Sequence, residues 1–154
     1  MARQAAVALG GALPPLYAWA VRSLLRRNLR ELRAGNPEPL FRAYADDVRF
    51  VFPGESSWTA DVRGRDAVER WVRRALEAGL ELEPDEILVN GPPWNTSVCL
   101  RFSDRALAPD GEVVYTNRGV IFGTIVWGKV TYYEVHEDTQ KVAEFDEYLA
   151  AHEP

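Results

Sequence analysis

Four side chains in the last third of the sequence are equipped for proton chemistry: Asp104 in FSDR, Arg118 in TNRGV, and His136 with Asp138 in YEVHEDTQKV. A carboxyl at a pocket wall is raised in pKa by desolvation and lowered by a cationic neighbour such as His136 or Arg118. That competition tunes an acid for general acid–base work, which is worth about 10²–10⁴ in rate when the group is correctly placed. Each of the four also has a plain structural use. Asp104 suits a turn at a strand end, Asp138 before Thr139 suits the N-cap of a last helix, and His136 suits a wet surface. Arg118 interrupts an otherwise apolar run. A buried arginine there needs an acid or an anion beside it, because losing such a partner costs roughly 3–5 kcal/mol, whereas exposure on an outer sheet face needs nothing.

Strand alternation groups these residues. In 95–104, Thr96, Val98, Leu100, Phe102 and Asp104 share one face, so a carboxyl ends an apolar row. In 129–138, Val130, Tyr132, Glu134, His136 and Asp138 share a face, with Tyr133 and Val135 opposite. Phe50, Phe52, Phe102, Tyr132 and the tryptophans Trp19, Trp58, Trp71, Trp94 and Trp127 would line an aromatic cavity for a flat apolar ligand, or serve as core. No phosphate-loop spacing is present, and no serine or cysteine stands beside a histidine-bearing nucleophile motif. With one cysteine and two histidines, neither a structural metal nor any cofactor is expected.

The elements that must position these groups are readable in order. Val21, Leu24, Leu25, Leu29 and Leu32 recur at helical spacing after Pro14-Pro15, and Gly35 stops the helix. A short second helix follows in NPEPLFRAYADD with Asn36 as its expected cap, then a strand in VRFVFPG, then a third helix from about Asp66 to Ala78. Segments 80–90, 95–104, 112–127 and 129–138 are rich in Val, Ile, Tyr, Trp and Thr and are punctuated by Gly and Pro, which predicts an antiparallel meander. TQKVAEFDEYLAA reads as a closing helix. Helices first and strands last make an α+β domain whose curved sheet is wrapped on one face by its helices.

A chain of 154 residues, 47% hydrophobic and 27% charged, fits one domain: residues 16–154, preceded by an N-terminal extension of 1–15. The lone Cys99 makes a reducing, cytoplasmic compartment the default. A net charge of −5 argues against a nucleic-acid partner. The charge is uneven: residues 1–34 hold six arginines against Glu31 alone, and residues 131–154 hold seven acids against Lys141 alone. The basic first helix is expected to pack on its own sheet rather than insert stably into a membrane, and no run reaches the ~20 apolar residues of a span. The opening MARQAAVALGGALPPLYAWA imitates a signal peptide, but Gly10, Gly11 and Pro14-Pro15 break its apolar run, so it is read as a helix lead-in.

FRAYADDVRFVFPG (41–54), GRDAVERWV (64–72) and GKVTYYEVHEDTQKV (128–142), in this element order, resemble the nuclear transport factor 2-like superfamily, with its SnoaL-like cyclases, ketosteroid isomerases and limonene-epoxide hydrolases. The resemblance implies a cystatin-like cone with a pocket between sheet and helices, a small cyclic or polyketide-like apolar ligand, and a homodimer through the outer sheet face. Matched residue by residue, the isomerase base falls on Phe52 and its oxyanion-hole tyrosine on Asn28, so steroid isomerisation is not expected. The hydrolase aspartates look similar to Asp104 and Asp138, but its arginine falls on Phe102 and its water-holding Tyr and Asn on Phe50 and Phe52. The single cyclase acid resembles Asp138, and the family's third-helix aromatic falls on Trp71. The implied chemistry is cofactor-free proton transfer with Asp138 as acid/base, His136 or Arg118 assisting and Asp104 second. The alternatives are epoxide hydrolysis by Asp104 and Asp138, or a non-catalytic binding protein.

Overall fold

The computed structural model describes residues 13–152; the signal-like reading and most of the proposed extension lie outside them. Helix α1 spans Leu13–Arg33. Its prolines sit in the first turn, where their missing N–H groups have no helical acceptor, and Arg30 and Arg33 sit in the last, where cations offset the helix dipole. Gly35, at φ 83°, closes it: its N–H reaches the Leu32 carbonyl at 3.0 Å and that of Asn36 reaches Glu31 at 2.8 Å, the paired bonds of a left-handed C-cap. Helix α2 (Glu38–Ala43) is capped by Pro37 and not by Asn36, whose side-chain amide donates to Glu31 instead.

Strands β1 (Tyr44–Phe52) and β2 (Ala60–Arg63), helix α3 (Arg65–Glu77), strands β3 (Leu80–Asn90), β4 (Thr96–Leu107), β5 (Val113–Val126) and β6 (Lys129–Glu137), and helix α4 (Thr139–His152) complete the chain. The six strands form one sheet in the order β2-β1-β6-β5-β4-β3. The meander of β3 to β6 is antiparallel as its turn residues predict, and β2 adds an antiparallel edge to β1. The β1–β6 pair is parallel, joined through the whole intervening chain, and no local signal announces it. Register shifts at Pro84/Glu86, Ala106/Leu107 and Thr124/Ile125 mark bulges, which bend strands and curl the sheet.

The helices cover the concave face. α1 packs on β3, α3 on β1 and α4 on β5. Each contributes an apolar stripe: Leu29 from α1, Val68 and Val72 from α3, and Val142 and Phe145 from α4 are all buried. Against them the sheet turns Val48, Phe50, Leu100, Phe102 and Val135. Burying each such side chain contributes roughly 1.5–3 kcal/mol. Phe145 of α4 is buried against the sheet, stacked on Tyr115 at 4.6 Å between ring centroids. Among the described residues, no helix is long and apolar enough to cross a membrane.

Candidate functional site

Between helices and sheet lies a partly open cavity of about 190 Å³ walled by Leu25 and Leu29 of α1, Trp71 and Val72 of α3, and Phe50, Leu100, Ile121 and Val135 of the sheet. An apolar cavity of about 150 Å³ accepts benzene, so this one holds a molecule somewhat larger than one ring without rearrangement. Its walls are almost entirely apolar. At one end stand Tyr44 and Tyr133, whose hydroxyls bond each other at 2.9 Å and whose burial raises both phenols far above their ordinary pKa. At the other stand Asp104 and Glu137.

Asp104 and Glu137 are brought together by cross-strand register. Asp104 of β4 pairs with Asn117 of β5, and Gly119, two residues on, pairs with Glu137 of β6, so all point to the concave side. Gly119 is required there: a Cβ would meet the His136 carbonyl oxygen at 2.4 Å, and both Cγ of Glu137 and Cζ of Phe102 at 2.8 Å. The two carboxyls are close enough that each affects the other's affinity for protons. Burial first, and then the charge of Glu137, pushes Asp104 up to about 8. Burial also raises Glu137, but its Oε2 accepts from the Tyr115 hydroxyl at 2.7 Å and from Asn117 Nδ2 at 3.3 Å, bonds that favour its ionised form. Of the two, Asp104 is therefore the one whose surroundings favour the protonated form. Asn117 is itself fixed, donating to Tyr115 at 2.9 Å and to the Asp138 carbonyl at 3.1 Å.

Behind the pair lies a second chamber of about 30 Å³, lined by Phe52, Trp58, Trp71, Tyr115 and Phe145 as well as both acids. A water needs about 10–15 Å³ of such volume, so one or two fit. Two buried polar atoms of its walls have no protein partner: Asp104 Oδ1, an acceptor, and Trp58 Nε1, a donor. They offer one acceptor and one donor to a water or a ligand hydroxyl in the chamber.

The other expected residues lie elsewhere. Asp138 does not face the cavity: it is exposed, and its Oδ1 accepts from the Gln140 N–H at 3.1 Å, capping α4. His136 stands on the convex face, exposed, with Nε2 at 3.1 Å from Glu134. Tyr132 is on that same face and donates to Glu134 beneath Arg49. Arg118 is exposed, its outward position satisfying the second reading of its place in the strand. Trp94 is exposed and packs on Trp127 instead of on any cavity. Phe102 is fully buried core beneath Gly119. Phe50 and Trp71 do wall the main cavity, and Phe52 and Trp58 wall the small chamber. Among the described residues, no group of three or more His, Cys, Asp and Glu is arranged to hold a metal.

The residues that sequence reasoning missed are Glu137, Tyr115 and Asn117. A signal for Glu137 was present. From Tyr132 on, Tyr133 and Val135 alternate against Tyr132, Glu134 and His136, so theirs is the less polar face and the one to be buried, and Glu137 continues it; Val130, expected on the other face, joins them in lining the cavity because the register shifts between the Thr124 and Ile125 pairings. Nothing local marks Tyr115 and Asn117 as its partners.

Residues 25–133, well over half of the chain, match the SnoaL-like domain family. Among proteins of curated function none matches the chain. Solved structures share the fold at low identity. A nuclear transport factor 2-like protein of unknown function from Burkholderia pseudomallei is 20% identical, with 81% of this chain and 95% of that one covered at a TM-score of 0.67. TerC co-crystallised with polyporic acid is also 20% identical, with 82% and 97% covered at a TM-score of 0.67. A protein with a cystatin-like fold from Xanthomonas campestris is 19% identical, with 80% and 95% covered at a TM-score of 0.63. With a family match over most of its length, and with the same cone in its neighbours, the chain belongs to the SnoaL-like domain family.

Proposed function

We propose that this protein binds a small, mostly apolar cyclic molecule in the cone and moves a proton on it without a cofactor. The observation that carries the reading is the placement of two carboxyls, Asp104 and Glu137, at the end of an apolar cavity, with Tyr115 and Asn117 bonded to Glu137 alone. Glu137, ionised, takes a proton from a carbon next to a carbonyl. The C–H electron pair moves into the enolate, whose oxygen accepts a hydrogen bond from the Asp104 carboxyl. Glu137 then returns the proton to a different carbon of the enolate system, so atoms and charge balance and both acids end as they began. Two carboxyls whose surroundings separate their affinities for protons make an acid and a base side by side. The apolar walls strengthen both interactions by excluding water.

The acceptor and donor of the small chamber favour a second reading, hydrolysis of an epoxide by a water held at Asp104 Oδ1. Glu137 then takes the place that the resemblance gives to Asp138. Self-association through the convex face is supported by the exposed row of Leu88 and Phe122, flanked by Val120.

The test is incubation with small cyclic ketones, enones and epoxides in D₂O, followed by mass spectrometry. Deuterium incorporation or double-bond migration with wild type, lost in both Asp104→Asn and Glu137→Gln, is the expected result. Diol formation selects hydrolysis. A compound that binds and raises the melting temperature but is returned unchanged and unexchanged makes the protein a binding module.

A further inference from the structure

Three of the five tryptophans are exposed, which a packed core does not explain. Trp19 is 60% accessible, Trp94 57% and Trp127 71%, and Leu16 beside Trp19 is 63% accessible. Trp is highly buried on average, so three on the surface of one small domain need a reason. They gather at one end of the molecule. Trp94 and Trp127 pack ring on ring at 5.8 Å, on the β3–β4 and β5–β6 turns. The Trp127 N–H bonds the Pro93 carbonyl at 2.7 Å. The first turns of α1 reach the same place, because the Tyr17 hydroxyl bonds Thr96 Oγ1 at 2.7 Å, two residues beyond Trp94. Trp127 also holds φ at 49°, a left-handed conformation that bulky residues rarely adopt, so a large aromatic ring is presented at a turn tip where glycine would sit with less strain.

The charge beside this aromatic end has one sign. Trp19, Arg22, Arg26, Arg30 and Arg33 follow one another at spacings of three and four and so form one stripe along α1, with Arg27 on its flank. Arg33 is paired with Glu83, but among the described residues no ion pair engages Arg22, Arg26, Arg27 or Arg30. A stripe of arginines continuing from exposed Trp and Leu, in a chain whose net charge is −5, is complementary to an anionic lipid surface and to little else in this molecule. Indole rings favour the headgroup level of a bilayer, and arginines bind its phosphates.

We infer that this end, formed by Leu16, Trp19, Trp94 and Trp127 with Arg26, Arg27 and Arg30 behind it, docks reversibly on anionic membranes. The contact is peripheral and spans nothing. Its other consequence is placement: the opposite side of α1 walls the apolar cavity through Leu25 and Leu29, so the helix laid on lipid is also the cavity's wall.

The experiment is co-sedimentation of the full chain with vesicles of phosphatidylcholine alone or mixed with phosphatidylglycerol, with sedimentation velocity of the protein without lipid. The expected result is binding to the mixed vesicles only, lost at about 1 M salt, where the screening length falls to ~3 Å. Reversing Arg26, Arg27 and Arg30 to Glu should weaken it on the order of a hundredfold, since each basic residue near an anionic surface contributes about 1 kcal/mol. Trp19→Ser with Trp127→Ser should weaken it severalfold and reduce quenching by spin-labelled lipid to what Trp94 alone gives, at an unchanged melting temperature. No binding by wild type, equal binding to neutral vesicles, or full binding by the arginine variant would overturn the inference. So would a wild-type dimer that Trp19→Ser and Trp127→Ser dissociate without any vesicle binding, which would assign the surface to a second copy of the chain.

Discussion

Two glutamates three residues apart on β6 respond to their surroundings in opposite ways. Glu134, on the convex face, accepts hydrogen bonds from Tyr132 and His136, which hold its carboxyl below the ordinary range. Glu137, on the concave face, is raised by burial although Tyr115 and Asn117 also bond to it. Residue type and strand are the same; what differs is the side to which the pleat turns them. The comparison teaches that desolvation shifts a carboxyl here toward holding a proton, whereas hydrogen bonds on the wet face secure its ordinary charge.

The proposed proton transfer would show the contrast most sharply. Against whichever compound the screen identifies, Asp104→Asn and Glu137→Gln should each lower kcat by about 10²–10⁴, whereas Glu134→Gln and His136→Ala should leave it within twofold of wild type, a margin small beside that of a positioned acid or base. Equal losses on both faces would erase the distinction. The scaffold around the acids comes next: Phe145→Ala removes the buried ring stacked on Tyr115 and should cost about 3–5 kcal/mol in urea unfolding.

The inner pair also sets a pH dependence. The folded pKa of Asp104, about 8, lies above its unfolded value of 3.8, so the folded state holds a proton that the unfolded chain releases. Its contribution to stability is complete below pH 4 or so and is lost as pH rises through about 8, with a slope of up to ~1.4 kcal/mol per pH unit in between. Asp104→Asn should flatten that slope. Glu134 has the opposite sign, because its lowered pKa contributes above its unfolded value and is lost as pH falls; its exposure keeps the effect small. The smallest effect belongs to Asp138. Asp138→Ala should cost about 1 kcal/mol as a lost N-cap, with activity unchanged. A large activity loss there would return the acid/base role to Asp138.

Much of the fold was legible because its signals are local. Apolar spacing in α1 and α3, Gly35 as a stop, and the Gly and Pro turns of the meander each act within a few residues. The parallel β1–β6 pair and the four-residue β2 are set by packing across the whole chain, and no window of sequence contains them. The site divides in the same way. Asp104 stands in an apolar row that the strand continues to buried Ala106, and its inward direction follows from that row. On β6 the choice of face followed the density of acids and histidine, which favoured Glu134, His136 and Asp138. Burial follows Tyr133 and Val135, and so selected Glu137. Asp138, the first residue past β6, is drawn into capping α4, a use that its type and its place before Thr139 had suggested equally.

Carboxyl ¹³C NMR titration of wild type and Glu137→Gln tests the central claim most directly. The account predicts one carboxyl in wild type that keeps its proton to about pH 8, assignable to Asp104 and shifted downward in Glu137→Gln as the neighbouring charge is removed. If every carboxyl of the wild-type protein titrates near pH 4, burial does not hold a proton on Asp104, and the cavity is a binding site without an acid–base pair.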